Sequence, residues 1–240
     1  MKLDDIKKLQ QKKYRAEFGH FLVEGEHLIL ELQKAALHNP LLQRSQLYVT
    51  AAYEHWQSPF KTQVISDRQM AQIADTKTPQ GIVAVVPMPE SAAPSAAGER
   101  AIYLHEIQDP GNLGTILRTL AWFGGFRCLL SPGSVDPYNP KVVRSSMGAI
   151  FHAPLELEVP LDALPARFAR IACLDMQGEP VQSAGFRACD CYLFGNEARG
   201  VPRELLTSLD ATPFTIAGSG AIESLNLAAT VNMCAYELSR

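Results

Sequence analysis

Three glycine-rich segments of this 240-residue chain carry the side chains that could do chemistry. Glycines permit tight turns and a close approach of the backbone to a ligand, while amide, carboxylate and guanidinium groups can bind or polarise it. A carboxylate between two glycines, directly after an apolar run, can accept hydrogen bonds from such a ligand. The segments are residues 105–118 with Asn112 and Arg118, residues 195–202 with Glu197, and residues 216–229 with Ser224 and Asn226.

Each polar segment follows an apolar run of strand length, and these runs alternate with helical patterns. Nearly continuous apolar strands separated by helices indicate a parallel sheet that helices cover on both faces. Ligands of such sheets bind at the carboxyl ends of the strands, so we expect a site at that edge. Asn112 is expected to cap the helix that follows it, leaving free amides where an anion could bind, and Ser224 is a candidate cap near the last helix. The predicted strands are 101–104, 127–130, 170–174, 191–194 and 214–216, and the predicted helices are 113–123 and about 224–238.

The first third of the chain has the pattern of a separate, smaller α/β domain. Apolar runs at 47–49, 64–65 and 82–86 alternate with helical patterns, one over 26–37 and one that Ser66 is placed to cap. A stretch rich in proline, alanine and serine follows without amphipathic period, which predicts a linker. The predicted domains are 1–87 and 100–240, joined by the linker 88–99.

Composition places the chain among ordinary globular proteins, since 47% of its residues are apolar and its formal net charge is −3. This apolar content excludes general disorder. No apolar run reaches the about 20 residues of a membrane span, and the amino terminus lacks the profile of a secretion signal, so we expect a cytoplasmic protein. Five scattered cysteines predict reduced thiols rather than a disulfide framework.

The net charge conceals a basic amino terminus, because six of the first fifteen residues are basic and two are acidic. Such a cluster is either a solvated helix face or a set of phosphate contacts for a nucleic acid. The basic residues are Lys2, Lys7, Lys8, Lys12, Lys13 and Arg15.

Other common chemistries lack their defining residues. The sequence has no P-loop lysine motif and no histidine pair with metalloprotease spacing, and Cys189 and Cys191 do not have zinc-site spacing, so we expect no bound metal. The Gly-Ser-Gly run at 218–220 lacks the flanking residues of a nucleophile elbow. Gly111 and Gly114 do not continue into a dinucleotide-binding fingerprint.

Taken in order, the three segments resemble the sequence motifs of the SpoU/TrmH branch of the SPOUT superfamily, the RNA ribose 2′-O-methyltransferases. Residues 112–118 (Asn-x-Gly-x-x-x-Arg) resemble the first motif, residues 195–201 (Gly-Asn-Glu-x-x-Gly-Val) the second, and residues 223–227 (Glu-Ser-Leu-Asn-Leu) the third. Residues 14–25 and 78–82 resemble the substrate-binding domain that such enzymes often carry, a small α/β domain related to ribosomal-protein RNA-binding modules.

The resemblance implies an α/β fold whose carboxyl-terminal parallel sheet is tied in a deep trefoil knot, a rare exception to unthreaded connections. It also implies S-adenosylmethionine as cofactor, RNA as substrate, and a homodimer formed through the methyltransferase domain. The acceptor-site residues it implies are Arg118, Asn112, Glu197, Ser224 and Asn226. The cofactor-site residues it implies are Leu193, Phe194, Gly195, Asn196, Gly200, Ile216, Ala217, Gly218, Gly220, Ser224, Leu225, Asn226 and Ala228. The predicted RNA contacts are Lys7, Lys8, Lys12, Lys13, Arg15, Arg118 and Arg144.

The chain departs from the family pattern at Ala217, where proline is common, and at Ala228, where serine is common. The first change makes the loop less preorganised, and the second removes a hydroxyl group. In the mechanism proposed for this family, the arginine of the first motif is the base that deprotonates the ribose 2′-hydroxyl. A guanidinium pKa above about 12 favours another hypothesis, in which Arg118 holds a phosphate and stabilises charge on the ribose oxygen.

The complete amino-terminal domain favours large-subunit (23S) ribosomal RNA over transfer RNA as the substrate, by family analogy. Two further interpretations stay open: methylation of a base, and a non-catalytic RNA-binding or ribosome-assembly factor with the same fold. Asn112 together with Arg118 favours the ribose over a base. The joint presence of Arg118, Glu197 and Asn226 disfavours a protein that only binds RNA.

Overall fold

The computed structural model describes residues 1–89, 98–222 and 224–240. Most of the predicted linker, and Glu223 of the third motif, lie outside the described residues. The chain divides into two compact units, one made of Met1–Glu90 with Asp136–His152, and one made of Ser91–Val135 with Ala153–Arg240.

The first unit contains a four-stranded sheet in the order β1-β4-β2-β3, in which only β2 and β3 pair in parallel. Ser66 begins α4 with a capping box that it forms with Gln69, which confirms the predicted cap. Of the run predicted at 64–65, only Val64 belongs to a strand, the exposed and mostly polar edge strand β3, and the buried Ile65 follows that strand. Backbone pairing with β2 holds β3, so its position does not depend on an apolar sequence pattern. The elements are α1 (Leu3–Lys8), α2 (Lys12–Phe18), β1 (His20–Glu24), α3 (Glu26–Ala36), β2 (Gln46–Val49), β3 (Lys61–Val64), α4 (Asp67–Ile73), β4 (Ile82–Pro87) and α6 (Pro140–Ser145).

Asp136–His152 packs within this first unit, whereas the sequence boundary assigned it to the domain 100–240. Two contacts show why. Tyr138 packs its ring 4.9 Å from that of Phe21, centroid to centroid, and Asp136 accepts a hydrogen bond of 2.9 Å from Arg15 Nε. Both contacts join residues far apart in sequence, so no local pattern predicts them.

The second unit is built on a six-stranded sheet in the order β10-β8-β9-β5-β6-β7, and every neighbouring pair is parallel. The predicted α/β class with a parallel sheet is therefore confirmed, while the trefoil knot stays a prediction. Every residue of β6 and β9 is buried, as strands covered on both faces require. The elements are β5 (Arg100–Leu104), α5 (Pro110–Phe123), β6 (Phe126–Leu130), β7 (Leu155–Glu156), α7 (Leu164–Arg167), β8 (Ile171–Pro180), α8 (Ala184–Arg187), β9 (Cys191–Phe194), α9 (Arg203–Ser208), β10 (Thr212–Thr215) and α10 (Leu227–Leu238).

The strand register brings two of the polar segments together. Leu104 at the end of β5 lies opposite Phe194 at the end of β9, and His105 N donates to the Phe194 carbonyl at 2.9 Å. Segments 105–118 and 195–202 therefore start side by side at the carboxyl edge of the sheet, the position expected for a ligand site in this architecture.

Candidate functional site

A pocket of about 470 Å³ lies where the segments after β5 and β9 meet the start of α10. All three polar segments contribute to its wall, so the structure joins residues that are more than a hundred positions apart. The lining residues are Gln108, Asp109, Asn112, Asn196, Glu197, Ala198 and Asn226.

The Glu197 carboxylate holds the first segment in place. Its oxygens accept hydrogen bonds from the backbone N–H groups of Gln108 (3.2 Å) and Asp109 (3.3 Å) and from Asn112 Nδ2 (3.3 Å). Two backbone amides directly before the start of α5, those of Gln108 and Asp109, are thus occupied by an anion of the protein itself. Because its lone pairs serve these three donors, Glu197 is a positioning group in this arrangement.

The predicted cap of α5 is wrong by three residues. Asp109 is the N-cap and accepts from Asn112 N at 2.7 Å, and Pro110 occupies the first helical position, where its missing N–H costs nothing. Asn112 therefore lies inside the first turn. Its side chain does not cap the helix and instead forms hydrogen bonds with the other two segments, at Glu197 and Asn226.

Asn226 has the capping role suggested for Ser224. Its Oδ1 accepts from Ala229 N at 3.1 Å at the start of α10, while its Nδ2 donates to Asn112 Oδ1 at 3.0 Å. Ser224 is exposed and lies two residues before the cap. A carboxamide nitrogen carries two hydrogens, so Asn112 and Asn226 each keep one N–H for a ligand.

A tight backbone turn carries Glu197. Asn196 and Gly200 exchange two backbone hydrogen bonds, N to O, of 3.1 and 2.9 Å. Gly200 has a φ of +64°, and a Cβ on Gly195 would lie 2.5 Å from the Gly200 carbonyl carbon, so both positions need glycine. The buried Asn196 side chain accepts from the backbone of Ala198 at 3.0 Å and donates to the Glu106 carbonyl at 2.7 Å.

Arg118 is exposed on α5, and it makes no hydrogen bond or ion pair with any residue that the structure describes. It is also outside the lining of the pocket. A guanidinium with no internal partner is available for an anion from outside the chain.

The predicted cofactor residues differ in their burial, and Gly195 and Ile216 are half-buried. Leu193, Phe194 and Ala228 are buried in the interior, so only their backbones could contact a ligand. Residues 217–220 and Leu225 are exposed, and Leu225 keeps 44% of its surface accessible. Of this set, only Asn196 and Asn226 line the pocket described above.

The predicted RNA contacts also divide. Lys7, Lys12 and Lys13 are exposed, and Lys8 Nζ binds Asp5 Oδ1 at 2.9 Å. Arg15 was predicted to contact RNA, but it is 2% exposed: besides its pair with Asp136 it donates to the Leu9 carbonyl at 2.8 Å. Its guanidinium is therefore a structural group inside the first unit.

Arg144, the remaining predicted RNA contact of the first unit, is half-buried and pairs with Asp75 at 2.7 Å. Sequence reasoning missed Gln108 and Asp109 as site residues. The Asp-Pro pair at 109–110 was the available signal, since proline favours the first helical position and aspartate the cap before it.

His105 directly follows β5 beside this site. Its Nδ1 is buried and has no hydrogen-bond partner among the described residues. Burial lowers the pKa of His105 below its usual 6.5, the Glu106 carboxylate opposes that shift, and the Arg199 guanidinium adds to it. The ring is therefore neutral at neutral pH.

Two features are absent from the residues that the structure describes. None of the helices there has the length and apolar composition needed to cross a bilayer. No group of three or more histidine, cysteine, aspartate or glutamate side chains is placed there to hold a metal ion.

Comparison with known proteins places these features in a family. Residues 99–236 match the model of the SpoU rRNA Methylase family, and residues 2–84 match the MRM3-like substrate binding domain. The 23S rRNA (guanosine(2553)-2′-O)-methyltransferase RlmP of Bacillus subtilis (strain 168) is 32% identical over 242 residues, covering 99% of this chain and 95% of that protein.

Solved structures share the whole fold. A TrmH-family protein from Porphyromonas gingivalis superimposes with a TM-score of 0.82 at 28% identity, over 98% of this chain and 96% of the other. The SpoU methyltransferase AviRb of Streptomyces viridochromogenes, in complex with AdoMet, gives a TM-score of 0.83 at 24% identity, over 99% and 96% of the two chains. With both units matched and the three motifs joined in one hydrogen-bonded site, the chain belongs to the SpoU rRNA methylase family.

Proposed function

We propose that this protein transfers a methyl group from S-adenosylmethionine to a ribose 2′-hydroxyl of ribosomal RNA, with 23S rRNA as the substrate. The hydrogen-bonded chain Glu197–Asn112–Asn226 carries the proposal, because it joins the three family motifs at the carboxyl edge of a parallel sheet. The substrate domain match and the B. subtilis relative support an rRNA substrate rather than tRNA.

The residues present fit the proposed cofactor. The backbone N–H groups of residues 216–220 have no hydrogen-bond partner among the described residues, and no described atom lies within 4 Å of a Cβ built on Gly218 or Gly220. Ile222 and Leu225, which follow this loop within five residues of the sequence, present exposed apolar surface. Such a loop can bind an adenine edge and a ribose through its backbone, and the cofactor when bound supplies a methyl group on a sulfonium.

The chain's own residues orient the acceptor. The spare N–H groups of Asn112 and Asn226 are fixed in direction by their bonds to Glu197 and to each other, so they can bind the ribose oxygens. Arg118 holds the adjacent phosphate and stabilises negative charge as it develops on the 2′-oxygen. The hydroxyl proton leaves to that phosphate or to water.

The exposed lysines of α1 and α2 are proposed to contact the RNA backbone outside the active site. Lys8 and Lys13 also lie 5.8 and 5.6 Å from the centroid of the half-exposed Tyr14 ring, so cations surround an aromatic face of the kind that stacks on bases. Arg144 is proposed to contact RNA once it leaves Asp75.

Point substitutions test these contacts, because removal of residues 1–13 would also remove Ile6 and Leu9 from the core. Changing Lys7, Lys12 and Lys13 to glutamine should reduce the slope of log affinity against log salt by about 2 to 3. Glutamine at Lys34 and Lys61, exposed lysines of the same unit, is the control and should leave the slope close to that of the wild type. An unchanged slope in the triple variant would show that this face does not contact RNA.

A homodimer through the second unit is proposed from an apolar face. On the packed pair α5 and α10, the side chains of Trp122, Met233 and Tyr236 are 82%, 47% and 56% exposed, and Phe123 lies 6.2 Å from the Tyr236 ring, centroid to centroid. A monomer would leave this aromatic surface in water. Sedimentation should report twice the chain mass for the wild type and one chain for Trp122→Glu; a wild-type monomer would contradict the proposal.

Mapping the methylated nucleotide tests the proposed function. Purified protein, radiolabelled S-adenosylmethionine and separate 23S, 16S and transfer RNAs should give label in 23S rRNA alone, at a linkage that alkali no longer cleaves. Asn112→Ala and Asn226→Ala should lose at least about 100-fold in kcat/KM. Label at an alkali-sensitive linkage would indicate a base methyltransferase, label in tRNA would reassign the substrate, and RNA binding without label would indicate a non-catalytic factor.

A further inference from the structure

The pocket at the candidate site is negatively charged, although the proposed substrate is a polyanion. Its lining includes the exposed carboxylates of Asp109 and Glu197 and no basic side chain among the described residues. Phosphates that approach such a wall are repelled unless a nearby cation offsets it. A basic group at the mouth of the pocket is therefore needed for the RNA strand to reach the carboxamides.

Arg199 is a candidate for that cation, because it lies on the loop that carries Glu197 and directly follows a residue of the pocket wall. It is the only basic residue of the turn 195–200, follows the lining residue Ala198, and keeps 71% of its side chain exposed. The turn is rigid, because Asn196 Oδ1 accepts from Arg199 N at 3.1 Å while Asn196 and Gly200 exchange backbone bonds. The guanidinium therefore projects from a fixed base.

Glu106 holds the guanidinium in the absence of RNA. Its Oε2 lies 2.6 Å from Arg199 Nη2, and its backbone is fixed at a φ of +48° by Ser131 Oγ, which accepts from Glu106 N at 2.7 Å. The Glu106 carbonyl also accepts from Asn196 Nδ2, so one buried side chain anchors both halves of the pair. The ion pair itself is exposed, and exposed pairs are weak enough for a phosphate to displace.

We propose that Arg199 binds a phosphate of the RNA strand at the mouth of the pocket, and that Glu106 holds its guanidinium in place until the RNA displaces the carboxylate. The inference rests on the proposed function, because it requires RNA as the substrate. A guanidinium binds phosphate through two parallel N–H donors, so Arg199 would fix the strand's orientation as well as its charge. Arg118 and Arg199 would then hold phosphates from two different segments of the site.

The test measures binding of a 23S rRNA fragment to the full chain across a range of KCl, without S-adenosylmethionine. Arg199→Gln should reduce the salt slope by about 1 and weaken binding about 5- to 10-fold at low salt. Glu106→Gln should strengthen binding about 2- to 5-fold, since the cation no longer has a competitor. The double variant should bind as Arg199→Gln does, because Glu106 acts only through Arg199.

Arg167→Gln is the control, since Arg167 also forms an arginine–glutamate ion pair of the same unit, half-buried and 2.8 Å long with Glu156, and the variant should bind RNA as the wild type does. The inference is overturned if the salt dependence of RNA binding by Arg199→Gln has the wild-type slope, or if Glu106→Gln binds RNA more weakly than the wild type. Wild-type protein that neither binds nor methylates RNA overturns the proposed function with it. If the wild type methylates RNA while Arg199→Gln keeps the wild-type salt slope, the proposed function is supported and only the proposed role of Arg199 is wrong.

Discussion

The Gly195→Ala substitution tests whether the close approach of the Gly195 backbone to the Gly200 backbone positions Glu197. The added Cβ would lie 2.5 Å from the Gly200 carbonyl carbon and 2.7 Å from Val201 N, where ordinary contacts are 3.4–4 Å, so one strand of the turn must move by about 1 Å. Overpacking of this size costs about 1–3 kcal/mol. Opening the two Asn196–Gly200 hydrogen bonds instead costs about 0.5–1.5 kcal/mol each, so the two routes are comparable.

Either route displaces Glu197, and with it the amides and the Asn112 side chain that it binds. A misplacement of about 1 Å costs about 100-fold in rate, so we expect kcat/KM for rRNA methylation to fall about 100-fold, or about 2.7 kcal/mol. Hydrogen exchange at the Asn196 and Gly200 amides should become faster. The melting temperature should fall by no more than about 2–4 °C per kcal/mol, because the turn is largely exposed and the strain that the new Cβ adds in the variant can be relieved by local opening.

Gly185→Ala is the matched control, since the nearest atom to its new Cβ is the flexible Glu179 carboxylate at 3.3 Å, and it lies in the short helix α8. This variant should keep activity within about 3-fold of the wild type. If Gly195→Ala keeps wild-type kcat/KM and wild-type exchange, the turn does not position Glu197 and the argument is refuted.

Three further outcomes are expected. Arg118→Lys should keep most of the turnover and Arg118→Ala should lose it, because a positioned charge does the work; normal methyl transfer by Arg118→Ala would exclude any catalytic role for this residue. Arg15→Met should lower the free energy of unfolding by about 3–5 kcal/mol in urea titrations, because it leaves Asp136 buried without its partner; a loss of RNA affinity without a loss of stability would restore the surface role. The lowered pKa of His105 means that the unfolded chain binds a proton first as the pH falls, so its contribution is complete above about 6.5 and is lost as the pH falls toward the lowered pKa. Unfolding at about pH 7.5 and about pH 5.5 should show this loss in the wild type and less of it in His105→Gln; equal losses would mean that other groups cause it.

The sequence patterns that predicted the structure correctly are those that depend on residues only a few positions apart. The apolar run of β9 was predicted with its observed bounds, and Ser66 forms its predicted cap, because both depend on side-chain period or on a neighbour three residues away. The bounds of the polar edge strand β3 were not predicted, and the packing of Asp136–His152 within the first unit was not expected from the sequence. Their positions depend on pairing with β2 and on contacts with Arg15 and Phe21, which leave no periodic pattern.

The sequence by itself determined the family, the parallel α/β class and the identity of the polar segments, because motif spacing and strand hydrophobicity are properties of neighbouring residues. Only the tertiary structure decided their roles. It made Asp109 and Asn226 the helix caps, bound Glu197 to backbone amides, placed Arg15 in the interior and left Arg118 exposed. The bonds that Glu197 makes depend on which strand ends lie side by side, and that order follows from the packing of the whole sheet rather than from any one segment. The burial of Arg15 depends in the same way on a partner far along the chain, Asp136.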